Sequence, residues 1–123
     1  GCNCAQAVAC SFCQEFGIDE NEMFRIAEGF GLGMGVMEMC GALSGMAMII
    51  GLSNSRGNTE EGSGSKGDTY KKLRTYIQKF KEKNGSCICR ELKGVETGKV
   101  LCSCPQCITD AVALTEEYLA ENR

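Results

Sequence analysis

The sequence predicts an all-α fold, about five helices in a single bundle-like domain over residues 1–123. Three observations carry that expectation. Apolar residues recur at i, i+3, i+4 and i+7 in segment after segment. Capping residues and glycines stand where those segments would start and stop. Strict strand-like alternation is lacking, and "KVLCSC" (99–104) is only a weak strand candidate. At this length a core can form without covalent staples.

Asn3 can cap a first helix over residues 4–16, with Ala7, Val8, Phe12 and Phe16 inward and Gly17 as the stop. "DENE" (19–22) has capping-box spacing and opens a second helix through about Glu28. "GFGLGMG" (29–35) breaks the chain. A third helix from near Met39 to Ile50 reads as the buried central one, with Gly41 and Gly45 one turn apart so that another backbone can come close. Residues 53–67 have the composition of a flexible polar loop. Leu73, Tyr76, Ile77 and Phe80 then mark an amphipathic helix over 69–83, and "NGSCICREL" ends it and adds room for one short turn. A looser stretch from Lys93 to Ser103 follows. Pro105 suits the first position of a last helix, with Cys104 at its N-cap and Ile108, Ala111, Val112, Thr115 and Leu119 inward.

Composition narrows the chemistry. The chain has ten cysteines and no histidine. That excludes Cys-His and Ser-His nucleophile pairs, a Cys₂His₂ zinc site and the C-x-x-C-H haem motif. A metal held by this chain alone would rest mainly on thiolates, which favour zinc or iron–sulfur clusters. The net charge of −3 offers no footprint for nucleic acid. The apolar run from Cys40 to Leu52 is too short to span a bilayer. The chain starts at Gly1, so any targeting signal lies outside what can be read here.

Several motifs have plain readings. "GLGMG" lacks the spacing and the preceding strand of a dinucleotide fingerprint, and reads as a tight loop or close packing. The methionines at 34, 37, 39, 46 and 48 read as core filler. The cysteines are more telling. They form C-x-C pairs at 2/4, 87/89 and 102/104, C-x-x-C pairs at 10/13 and 104/107, and a singleton, Cys40. Cys40 and Cys104 fall at helix starts, where unpaired N–H groups favour a thiolate. For Cys10 and Cys13, inside a helix, simple burial is as good a reading as any function.

Taken in order, "NCAQAV", "AEGFGLGMG", "MCGALSG", "SCICREL" and "CPQCITDAV" resemble the C_GCAxxG_C_C family of redox-active proteins. The resemblance covers nearly the whole chain. It maps the four family cysteines onto Cys4, Cys40, Cys89 and Cys104. It implies an all-helical redox or electron-transfer domain, common in anaerobic microbes. A related domain accompanies haem modules in split-Soret cytochromes, with a cysteine-bound iron–sulfur centre. Two departures stand out: Cys2 replaces the usual aromatic residue before "NC", and an upstream helix of the family has no counterpart here. The additional cysteines Cys2, Cys87, Cys102 and Cys107 are candidates for an auxiliary set that would hold a second metal, enlarge a cluster or form protective disulfides, since C-x-C spacing fits metal ligation without requiring it.

The expected function is therefore that of a non-enzymatic electron-transfer protein. Cys4, Cys40, Cys89 and Cys104 would ligate an iron–sulfur cluster, most simply [2Fe–2S]. One alternative is metal-free thiol–disulfide exchange, with Cys40 attacking and Cys89 or Cys104 resolving. The other is a structural Cys₄ zinc module. The expected partner is a redox protein, with no nucleic acid and no membrane, a homodimer is an open option, and the expected compartment is the cytoplasm.

Overall fold

A computed structural model describes residues 1–62 and 64–122. It is helical, with α1 (Cys4–Cys10), α2 (Cys13–Phe16), α3 (Glu20–Ala27), α4 (Gly41–Asn54), α5 (Lys66–Asn84), α6 (Cys89–Lys93) and α7 (Cys104–Glu121). Five of these reach seven residues, and the surplus over the expected count is the two short helices α2 and α6. No strand forms among the described residues, and "KVLCSC" is an irregular stretch whose Leu101 and Cys102 N–H groups donate to the Leu92 carbonyl.

Local chemistry sets the boundaries. The Asn3 side chain accepts the Gln6 N–H while the Gln6 side chain accepts the Asn3 N–H, a reciprocal cap at the start of α1. Asp19 caps α3 through the Glu22 N–H. Gly17, Gly85 and Gly94 end α2, α5 and α6 in the left-handed conformation that glycine adopts without strain. The expected helix over 4–16 is broken. Ser11 and Phe12 donate to Val8 and Ala9, three residues back rather than four, which ends α1 and turns the chain into α2. The central helix runs on to Asn54, and α5 starts at Lys66, so the polar loop is shorter than expected (Ser63, within it, lies outside the described residues). Asn54 is buried because Asp68, Thr69 and Lys72 of α5 satisfy its amide.

Helix α4 is the spine, packed by α1, α5 and α7. Leu43, Met46, Ile49 and Ile50 meet Val8, Phe12, Tyr76, Phe80, Leu92 and Tyr118 in the main core. A smaller cluster of Ala5, Ala9, Cys13, Met23 and Ala27 joins α1 to α3. Gly45 fulfils the expected close approach: a Cβ there would lie 2.8 Å from the Ala5 carbonyl oxygen and 2.9 Å from the Val8 Cβ. The methionines divide. Met46 is fully buried and Met39 and Met48 pack on the core, but Met34 is exposed, because it sits in the "GLGMG" loop rather than on a helix face. No described helix is long and apolar enough to cross a membrane.

Two buried polar groups give tests of the packing. The Tyr118 ring is fully buried, edge-on to Tyr76 at 5.6 Å, and its hydroxyl finds no hydrogen-bond partner among the described residues. Tyr118→Phe is expected to leave stability unchanged or raise it by about 1 kcal/mol in denaturant melts, since it removes an unsatisfied group. Asp110, 5% exposed, accepts from Lys83, Asn84 and Gln106. Burial pushes its carboxyl up, but those three donors together hold it below its ordinary value. A depressed folded-state value means stability that is present above the unfolded value and lost as pH falls through the folded one. Asp110→Asn is expected to cost about 1–3 kcal/mol near neutral pH and to flatten the acid limb of the stability curve.

Candidate thiol site

The helix starts define the site. Cys4, Cys89 and Cys104 are the first residues of α1, α6 and α7, and Cys40 is the N-cap of α4. Each helix leaves backbone N–H groups unpaired at that end, and its dipole places partial positive charge there. The sequence doubling has a local reason. In each C-x-C pair the middle residue, Asn3, Ile88 or Ser103, is the N-cap, so the second cysteine opens the helix and the first lies just outside it. Cys104 is therefore not the N-cap expected from its proline: the Ser103 side chain accepts the Gln106 N–H and takes that position.

All four of these thiols line one cleft of about 350 Å³, together with Cys2, Cys102 and Cys107. Cys87 does not line it; its backbone carbonyl accepts the Cys40 N–H at 2.9 Å. That bond belongs to an antiparallel bridge between Met39 and Ile88, and the Cys89 N–H donates to the Glu38 carbonyl at 2.6 Å. Two distant segments, and with them Cys40 and Cys89, are pinned side by side. Cys10 and Cys13 lie outside the cleft. A second cleft of about 490 Å³, between the 85–91 segment and Lys99, contains no cysteine and carries both signs of charge.

Glycine 41 makes room for sulfur. A Cβ on it would lie 2.6 Å from the Cys4 Sγ and 2.7 Å from the Phe30 carbonyl oxygen. The loop before α4 is strained: Leu32, Met34 and Met37 have φ of 51°, 60° and 60°, uncommon for residues with a Cβ. It delivers the Leu32 N–H to the Cys4 thiol, and Leu32 itself to the cleft wall. The "GLGMG" run is thus a tight loop serving the site.

Electrostatics separate the thiols. A hydrogen bond from the Cys107 thiol, helped by the Ala42 and Leu43 N–H groups, outweighs burial and lowers Cys40 to about 6. Cys107 moves the other way, up, because it donates its proton to Cys40 and is itself buried. Burial raises Cys4, Cys89 and Cys102, with the Lys93 ammonium pulling against it at Cys89. Cys4 and Cys89 each feel the charges of Cys40 and Cys104. Lys93 is the one charged side chain among the described residues of the cleft wall, and its Nζ sits 3.6 Å from the Cys104 Sγ. The four thiols are within electrostatic reach of one another, yet no three Cys, Asp or Glu side chains among the described residues are grouped closely enough to share a single metal ion.

An all-helical chain that gathers seven cysteines at one apolar cleft, four of them at helix starts, is a polythiol protein. The chain belongs to the family described as "Putative redox-active protein (C_GCAxxG_C_C)", whose model matches residues 2–118. Among curated proteins and among solved structures, nothing matches. Sequence reasoning named Cys107 only as an auxiliary thiol, not as the partner of Cys40, and missed Lys93. The signal for Cys107 was available: three residues after Cys104 on a helix start, it faces the same side one turn later.

Proposed function

We propose that the cleft holds an iron–sulfur cluster ligated by Cys4, Cys40, Cys89 and Cys104, and that the protein transfers electrons through it. The observation carrying this reading is the convergence of four helix starts, each presenting one of these cysteines, on one cleft. A cluster bound by four thiolates is an anion, and helix N-termini with free N–H groups suit anions and sulfur acceptors. The same four sulfurs in one cleft would also serve the zinc alternative, and metal analysis separates the two. Gly41 leaves the sulfur of Cys4 room, and Leu32, Leu92, Pro105 and Ile108 supply an apolar shell. When bound, the cluster would supply one-electron chemistry; the chain's residues would hold it, shield it and set its potential.

The cation beside Cys104 gives a test of that last role. Lys93→Gln removes positive charge next to the thiolates and so disfavours the reduced, more negative state. The reduction equilibrium is expected to shift about tenfold toward the oxidised form, ~59 mV for one electron, read by redox titration. Lys93→Arg should restore it.

One observation favours a second reading. The thiol in contact with Cys40 is Cys107, not Cys89 or Cys104, and a lowered thiol beside a buried partner is the arrangement of a thiol–disulfide couple. Iron, zinc and acid-labile sulfide analysis of chain purified without oxygen separates the readings. Iron with sulfide supports the cluster, zinc alone supports the structural Cys₄ zinc module, and metal-free chain with a Cys40–Cys107 disulfide supports exchange.

A further inference from the structure

A second dithiol lies away from the cleft. Helix α1 ends in a tighter turn, where Ser11 and Phe12 donate to carbonyls three residues back. Residues three apart are neighbours on a helix surface, and in a tighter turn of this kind their side chains eclipse. Cys10 and Cys13 are three apart across that turn. Their thiols stand within hydrogen-bonding reach of each other. The pair is asymmetric: Cys10 is half-buried, and Cys13 is 3% exposed within the small α1–α3 core. Each also donates to a backbone carbonyl, Cys10 to Glu20 at 3.8 Å and Cys13 to Ala9 at 3.7 Å.

We propose that Cys10 and Cys13 form a second thiol–disulfide couple, independent of the cleft, that exchanges two electrons with small disulfides through Cys10. The steps balance. The Cys10 thiolate attacks one sulfur of a disulfide R–S–S–R, forming Cys10–S–S–R and releasing R–S⁻. The Cys13 thiolate then attacks the Cys10 sulfur, closing Cys10–S–S–Cys13 and releasing the second R–S⁻. The two cysteines are oxidised by two electrons, the small disulfide is reduced, and the two thiol protons pass to the released thiolates.

Burial, and after it the partner thiol and the Glu20 carboxylate, raise Cys10; burial raises Cys13 against a hydrogen bond from Cys10 that lowers it, with Glu20 and Asp19 adding to the rise.

The test equilibrates the full chain, without oxygen, in buffers of dithiothreitol and its cyclic disulfide. Samples are acid-quenched, labelled with N-ethylmaleimide, digested and read by tandem mass spectrometry. Cys10 and Cys13 are expected to lose their labels together as the cyclic disulfide fraction rises, with fragment ions placing the bond between them. In Cys13→Ser, oxidised glutathione should leave a glutathione adduct on Cys10 that the natural chain does not accumulate. Labels retained on both cysteines at every buffer ratio would overturn the proposal, as would a bond from Cys10 to Cys2. The mapping on the natural chain stands even if the variant folds poorly. Neither readout depends on iron, so the proposal and the cluster reading can fail separately.

Discussion

Cys40→Ser is expected to abolish the redox centre while leaving the fold intact. Cys40 is the N-cap of α4, with the Ala42 and Leu43 N–H groups facing its sulfur. Serine is among the best N-caps, so the replacement should hold stability steady or raise it by up to about 1 kcal/mol. What it removes is a sulfur, 5% exposed, held against Cys107 and two helix N–H groups. Iron retained per chain should fall by at least about tenfold, since even residues that only support ligands cost 10–100-fold in metal affinity. Cys4→Ser and Cys89→Ser should behave alike, for each removes a thiol at a helix start facing the same cleft. Cys10→Ser is the control, because Cys10 lies outside the cleft and its loss should leave iron content unchanged. Metal analysis and thermal melts on the same samples distinguish a lost ligand from a lost fold.

Gly45→Val should have the largest effect on stability. Its first added carbon would fall 2.8 Å from the Ala5 carbonyl oxygen and 3.2 Å from the Ala9 backbone nitrogen. Backbone cannot yield there as a flexible side chain would. Helix α1 is fixed at its start by the Asn3–Gln6 cap, and Gln6 also donates to the Phe24 carbonyl at 2.9 Å. Overpacking costs about 1–3 kcal/mol, and contact with unyielding backbone puts this site at the upper end of that range. It also acts on the site, since moving α1 off α4 carries Cys4 away from Cys40. The expected result in denaturant melts is a midpoint shift together with loss of bound iron. Gly51→Ala, one and a half turns further along α4 with nothing within 4 Å of its Cβ, should instead stabilise by about 0.5–1 kcal/mol.

Much of this arrangement was legible in the sequence because caps and periodicity are local. Asn3, Asp19 and Gly17 act where expected, and Tyr76 and Phe80 are buried as their spacing required. The Gly41–Gly45 spacing announced a close helix contact, and the structure adds which backbone fills it. What the sequence could not supply was tertiary. The break at Ser11 and Phe12 arises in residues whose propensities do not forbid a helix. Burial of Asn54 depends on polar partners on another helix. Tyr118, fully buried, falls on the inward face of α7, yet only the α5 ring opposite it shows why. The convergence of four helix starts likewise cannot be read from spacing, because it depends on how α1, α4, α6 and α7 cross.

The central claim is that the cleft thiols bind a redox-active iron–sulfur group, and the visible spectrum of chain purified without oxygen tests it most directly. The account predicts a brown chromophore that bleaches with dithionite and returns on reoxidation, and that is missing from Cys40→Ser. A colourless natural chain from anaerobically grown, iron-replete cells, with no iron or sulfide on analysis, would contradict it.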